Sequence, residues 1–199
     1  MDISVIVTNY NYGKLIRRCL RSLFNQSLEK SKYEIIVVDD ASTDNSLNYI
    51  RPFEKKRNFK IIKNKKNLGV GAASQIGLEN SIGKYFVRVD SDDFVQPPFL
   101  YMLYNFLKFN PKYVGVSCDY FITNNEERVI STKKFKSNYI ACGLMFRTSY
   151  LETIGSYNKS KRIFEDKDLF NRVNKKKIYN LPLPLYNYVK HNNSLTSKK

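Results

Sequence analysis

The 199-residue sequence predicts an α/β fold, a Rossmann-like and mostly parallel central sheet with helices on both faces. Three observations carry that expectation. Short apolar runs recur through the first half of the chain. Each is followed by a segment with the periodicity of an amphipathic helix. Polar clusters then stand where the runs end, and in such sheets ligands bind beyond the carboxyl ends of the strands.

The elements follow in order. "ISVIV" (3–7) is a first strand with a polar stop at Thr8-Asn9-Tyr10. Residues 14–25 place Leu15, Ile16, Cys19, Leu20 and Leu23 on one helical face. "YEIIVV" (33–38) is a second buried strand ending at Asp39-Asp40, and "STDNSLNYI" reads as a capped helix start near Ser42. "FKIIK" (59–63) is a third strand, 70–80 a helix and "KYFVRV" (84–89) a fourth strand. A helix over 97–109 has proline at its start, and "YVGVSC" (113–118) is a further strand. From 119 onward the pattern weakens to an Asn-turned hairpin (119–132), helices over 148–154 and 164–173, and an extended, proline-punctuated stretch over 179–191. Neither an internal repeat nor a linker divides the chain.

The formal net charge is +16, which favours anionic partners: nucleic acid, an anionic membrane surface or phosphate-bearing small molecules. Single lysine runs such as 63–66 and 174–177 also read as solvated surface. Cys19, Cys118 and Cys142 lack metal-ligand spacing and read as buried thiols of a reducing compartment. The amino terminus has no secretory signal, and no stretch approaches the roughly 20 apolar residues of a spanning helix. A cytoplasmic protein is expected, peripheral at most to the inner membrane face.

"VRVDSDD" (87–93) crowds three aspartates at a strand end. Alternation puts Arg88, Asp90 and Asp92 on one side, and converging carboxylates suit a hard divalent cation, Mg²⁺ or Mn²⁺, as well as they suit an acidic turn. Asp39-Asp40 either caps the next helix or accepts from the N–H of a nucleotide base, with Thr8 and the backbone of Asn9 and Tyr10 beside it. Acids at 165–168 fit the first turn of a helix through its dipole. His191, the single histidine, is by itself more readily structural than catalytic.

Taken in order, "SVIVTNYNYGKLIRRCLRSLFNQS", "YEIIVVDDASTDNS", "NLGVGAASQIGLENSIGKYFVRVDSDD", "FEDKDLFNRV" and "YVKHNNSLT" resemble family 2 glycosyltransferases of the GT-A fold. The resemblance spans nearly the whole chain. It implies one GT-A domain over 1–199, with a nucleotide-sugar half (1–118) and an acceptor-side half (119–199). It further implies an inverting enzyme with a nucleotide-sugar donor, most readily a UDP-sugar, and Mn²⁺ or Mg²⁺ as cofactor. Thr8, Asn9, Tyr10 and Asp39 or Asp40 would hold the base, with Asn67, Arg88 and Ser91 also on the donor side. Asp90 and Asp92 match the D-x-D element, Asp90 toward the ribose or sugar and Asp92 toward the metal. Asp166 matches the general base of an E-D motif, and His191 an H-x-x-S histidine that reaches the diphosphate or metal. The acceptor would be a surface glycan or lipid-linked saccharide.

One departure stands out. Relatives often have Ala-Arg-Asn where this chain has Ala73-Ser74-Gln75, so a cation for the diphosphate is missing, with Arg88 or Lys66 as substitutes. A dinucleotide-binding dehydrogenase is the first competing class, because "GVGAAS" (69–74) approaches G-x-G-x-x-G with Asp90 some way beyond. A nucleic-acid module finds no helix-turn-helix, RRM or zinc signature, and an acidic sheet edge repels phosphate. A sugar nucleotidyltransferase would need a glycine-rich amino-terminal signature that is absent.

Overall fold

The structure is a computed structural model, and the residues described are 1–135, 140 and 142–191. Its strands are β1 (Ile3–Asn9), β2 (Tyr33–Asp39), β3 (Phe59–Lys63), β4 (Tyr85–Asp90), β5 (Phe94–Val95), β6 (Gly115–Thr123), β7 (Val129–Lys133), β8 (Met145–Arg147) and β9 (Ile178–Val189). Its helices are α1 (Gly13–Phe24), α2 (Ser46–Ile50), α3 (Val70–Glu79), α4 (Phe99–Phe109), α5 (Thr148–Thr153) and α6 (Glu165–Arg172). The strands join in one sheet of order β3-β2-β1-β4-β8-β6-β9-β5, with β7 on β6.

The expected parallel sheet is present as β3-β2-β1-β4, and β6 pairs β9 in parallel. Antiparallel β8 joins β4 to β6, and β5 pairs β9 antiparallel. Neither β5 nor β8 was expected from sequence, because two or three residues carry no readable period. The helix expected from Ser42 begins only at Ser46, since Asp44 turns its carboxylate to Ser46 N (2.9 Å) and to Gly13 N (2.9 Å). The 119–132 hairpin forms as expected, its turn closed by Asn124 N–H donating to the Arg128 carbonyl (3.1 Å). The proline-punctuated stretch is strand β9, whose register against β6 slips between Leu181 and Pro184. Proline lacks a ladder donor, so it is tolerated at such an irregularity.

Alternation along the strands divides the core. Ile3, Val5, Val7, Ile35 and Val37 face α1 and α4, whereas Ile6, Ile36, Val38 and Phe86 face α3, α5 and α6. Each such fully buried side chain contributes about 1.5–3 kcal/mol relative to exposure. Arg88 falls on the second face, two residues beyond Phe86. The three cysteines are free and buried, as expected. Among the described residues no helix is long and apolar enough to cross a membrane.

Glu34 ties the amino ends of three strands together. Its Oε1 accepts from Ser4 Oγ (2.5 Å) and from Ile82 N (2.9 Å), and Ser4 Oγ in turn accepts from Gly83 N (2.9 Å). Gly83 lies so close to β1 that a Cβ would stand 2.5 Å from Ser4 N and 2.6 Å from the Ile3 carbonyl carbon. Backbone cannot yield as a side chain can. Gly83→Ala is therefore expected to lower stability by about 2 kcal/mol, read from the urea midpoint; an unchanged midpoint would contradict this packing.

Candidate active site

A cavity of about 600 Å³ opens at the carboxyl ends of β1 and β4. Thr8, Asn9 and Tyr10 reach it from β1, Asp40 and Asn67 from the second and third crossovers, and Arg88, Asp90, Ser91 and Asp92 from β4 and its turn. Asp166 faces it from α6. Of the candidate donor, metal and base residues, Asp39 and His191 are not on its wall, but each touches a residue that is, Asp39 through Asn9 and His191 through Asp92; Lys66, the alternative cation for the diphosphate, is not on the wall either. A shallower depression of about 500 Å³ beside Gln75 and Arg172 lies away from these strand ends.

Strand β4 ends at Asp90, and Asp93 N–H donates back to the Asp90 carbonyl (3.1 Å). The expected alternation therefore stops one step short of Asp92, which sits in the turn. The three aspartates divide the work. Asp93 is 2% exposed and accepts from Tyr186 Oη (2.7 Å) and Val189 N (2.8 Å), fastening β9 to the turn. Burial, then the charges of Asp92 and Asp90, push its carboxyl well above the usual range. Asp92 Oδ2 stands 2.9 Å from His191 Nε2, and the Asp92 carbonyl accepts from Arg18 Nη2 (2.9 Å). Ser194, the end of the H-x-x-S motif, lies outside the described residues.

Arg88 is the positive group among them. Its Nε lies 3.1 Å from Asp90 Oδ1, and its Nη1 donates to Glu165 Oε1 (2.6 Å) and to Ser74 Oγ (3.2 Å). Burial pulls the guanidinium pKa down, but Asp90 and Glu165 outweigh it and hold it above its ordinary value. Asp90 shows the reverse balance, raised by burial despite Arg88. Arg88 is 2% exposed and its Nη1 is engaged by Glu165 and Ser74, so it ties β4 to α6 and α3 while still contributing to the cavity wall.

At the end of β2 the two acids are engaged. Asp39 accepts from Asn9 Nδ2 (2.8 Å) and Ser42 Oγ (2.6 Å). Asp40 accepts from Asn64 Nδ2 (2.7 Å), Leu68 N (2.9 Å) and Gly69 N (2.7 Å). The glycine turn thus offers its amides to a protein carboxylate, and Val70 N donates to the Arg162 carbonyl (3.3 Å). A dinucleotide pyrophosphate needs those amides, so the dehydrogenase reading loses its site.

Helix α6 begins after Phe164, which takes φ of 61°. Its paired acids diverge: Glu165 is buried on Arg88, while Asp166 is half-buried on the cavity wall with Oδ1 accepting from Lys167 N (2.8 Å). Asp168 pairs with Arg172 at 2.6 Å, the helix-stabilising use of such acids. Sequence reasoning missed Glu165 as the partner of Arg88, and Arg162, whose Nη2 donates to Asn67 Oδ1 (2.5 Å). Only their nearness to Phe164-Glu165-Asp166 could have signalled them.

A divalent cation needs hard oxygen donors. Ligand atoms of Asp90, Asp93 and Cys142 lie within 4.8 Å of one another, but burial and the charges of Asp90 and Asp93 push the Cys142 thiol up, and Asp93 already accepts from Tyr186 Oη, Val189 N and the Cys142 thiol itself. Asp92, at the cavity and beside an imidazole, is the better match. Asn9 Oδ1, Asp90 Oδ1 and Ser91 Oγ are buried without a hydrogen-bond partner, as are Arg88 Nε and Arg18 Nε. Asp90 Oδ1 and Arg88 Nε are thus close in distance yet misaligned for a hydrogen bond. All of these but Arg18 belong to residues of the cavity wall.

A poly(ribitol-phosphate) beta-glucosyltransferase of Bacillus spizizenii is 42% identical over 112 residues, 55% of this chain and 18% of that protein. Staphylococcus aureus TarS 1-349, in complex with UDP-GlcNAc, superimposes with a TM-score of 0.85 at 24% identity, over 100% of this chain and 61% of that one. The mannosyltransferase PcManGT from Pyrobaculum calidifontis, in complex with GDP-Man and Mn²⁺, gives 0.73 at 20% identity, over 94% of this chain and 56% of that one. This chain therefore spans less than two thirds of each, and the two structural likenesses carry the GT-A fold. Residues 4–179 match the family model described as Glycosyl transferase family 2, across both the sheet and the cavity. The chain belongs to that family.

Proposed function

We propose that the chain transfers a sugar from a nucleotide-sugar, most readily a UDP-sugar, to an acceptor hydroxyl with inversion at the anomeric carbon. The observation that carries this reading is the set of buried polar atoms without a hydrogen-bond partner, Asn9 Oδ1, Ser91 Oγ and the ion-paired Asp90 Oδ1, on the wall of one cavity that Asp92 and Asp166 also face. A buried polar atom without a partner costs about 1–3 kcal/mol, so a ligand that supplies donors and acceptors there is favoured.

In this reading Thr8, Asn9 and Tyr10, backed by Asp39 and Asp40, receive the base. Asp90 and Ser91 accept and donate to ribose or sugar hydroxyls, with Asn67 alongside. Asp92 and His191 would hold Mn²⁺ or Mg²⁺, which when bound supplies positive charge to the leaving diphosphate. Asp166 accepts the proton of the acceptor hydroxyl. That oxygen forms its bond to the anomeric carbon from the face opposite the diphosphate, whose bond breaks with the electron pair leaving on the nucleotide. One displacement inverts the centre.

Residues 1–118 form the donor half in this reading and 119–199 the acceptor half, although Arg162 and Phe164 also reach the donor cavity. The acceptor would be a surface glycan or lipid-linked saccharide. A net charge of +16 favours an anionic one, in keeping with the poly(ribitol-phosphate) in the Bacillus relative's name. The same charge suits the cytoplasmic face of an anionic membrane, where the chain would act without spanning it, and nucleic acid is not an expected partner.

Two measurements check this. Calorimetry with UDP, GDP, dTDP and CMP should find one nucleotide whose binding needs Mn²⁺ and is lost in Asp92→Ala; binding of none by the folded protein would refute the donor site. Asp166→Asn should lower kcat by about 10²–10⁴ while leaving the nucleotide affinity within threefold. A kcat within fivefold of wild type would remove Asp166 as the base.

A further inference from the structure

The contacts of Arg88 point to a function one step behind the chemistry. A guanidinium on the helix-facing side of a central strand, two residues beyond Phe86, stands where an apolar side chain would pack. Three elements meet around it: Asp90 at the end of β4, Glu165 at the start of α6, and Ser74 on α3, whose side chain is fully buried. The start of α6 is seated on α3 as well. A Cβ on Gly71 would lie 3.3 Å from Glu165 Cβ and 2.3 Å from the Lys161 carbonyl oxygen, so helix and preceding loop pack directly on the bare turn of α3.

Consecutive side chains on a helix diverge by about 100°. Holding Glu165 inward therefore fixes the rotation of the first turn of α6 and aims Asp166 at the cavity. We propose that Arg88 is a positioning residue that sets Asp166 through Glu165, and that positions 88 and 74 share one charge slot, so that an arginine supplied from α3 can replace the one supplied from β4. The second half follows from the 3.2 Å between Arg88 Nη1 and Ser74 Oγ. A small residue at 74 leaves room for the guanidinium from below. Moving the guanidinium to 74 with a small residue at 88 keeps the charge and nearly the total volume, and changes that conserve volume are the ones cores tolerate. The proposal rests on Asp166 being the base for its catalytic consequence, but the link from Arg88 to α6 stands apart from that reading.

The test compares Arg88→Ala with the double variant Ser74→Arg/Arg88→Ala in the full chain. Hydrogen–deuterium exchange over 164–172 reads the seating of α6 without reference to activity; UDP affinity with Mn²⁺ and the kcat of sugar transfer read the consequence. Arg88→Ala should speed exchange at the start of α6 and lower kcat at least tenfold more than it weakens UDP. Adding Ser74→Arg should recover most of both losses. No recovery in exchange, or an Arg88→Ala chain with wild-type exchange, overturns the proposal. A loss of UDP affinity as large as the loss of kcat makes Arg88 a donor ligand instead and equally overturns it. Should wild type transfer no sugar, the exchange comparison alone decides the link. Should Arg88→Ala not fold, folding of the double variant supports the shared slot. Should neither fold, Glu165→Gln decides: faster exchange at 165–168 supports the link, and unchanged exchange rejects it.

Discussion

A single buried cation organises the ligand edge of this sheet. Arg88 stands 2.6 Å from Glu165 and 3.1 Å from Asp90, deep on the face covered by α3 and α6. Taking one member out of such a cluster leaves uncompensated charge in the interior and typically costs about 3–5 kcal/mol. Replacing the whole cluster by apolar residues can cost nothing, so stability alone does not explain its presence. What the cluster supplies is relative placement: it ties the turn that carries Asp92 to the helix that carries Asp166.

The remaining acids fall into two sets. Asp39, Asp40 and Asp93 hold protein donors, fixing Asn9, the glycine turn and β9 respectively. Asp90, Asp92 and Asp166 line the cavity, and Asp40 belongs to both sets, since it reaches the wall as well. A carboxylate saturated by backbone amides is a structural tie, and it shapes the wall from behind. This division explains how so many acids crowd one edge: Arg88 neutralises part of the charge, and burial together with the neighbouring Asp92 and Asp90 pushes the Asp93 carboxyl above its usual range.

Much of this was legible in the sequence because strands β1 to β4 are regular and long enough to show their period. Their polar ends therefore mark the cavity with Thr8, Asp90 and Asp92, whereas Asp166, on α6, is legible only through the family resemblance. What escaped had no local signature. Two-residue β5 and three-residue β8 are fixed only by partners distant in the chain. The partner of Arg88 lies 77 positions away, and no spacing rule reaches that far. The long-range contacts of Asp39-Asp40 with Asn9, Asn64 and Gly69, which engage both carboxylates, were likewise beyond any local pattern. The alternation that joined Asp92 to Asp90 failed for a simple reason: the strand had ended.

In the proposed function one cavity serves both the D-x-D turn and the first turn of α6 around a single bound nucleotide. Backbone NMR of the UDP complex during addition of sub-stoichiometric Mn²⁺ tests it most directly, because the ion broadens amides according to their distance from it. The account predicts that residues 90–93 and 165–167 broaden together and first, in a UDP-dependent way. Broadening centred on acids away from the cavity, such as Glu126 and Glu127 in the hairpin turn, or confined to 90–93 with α6 untouched, would contradict it.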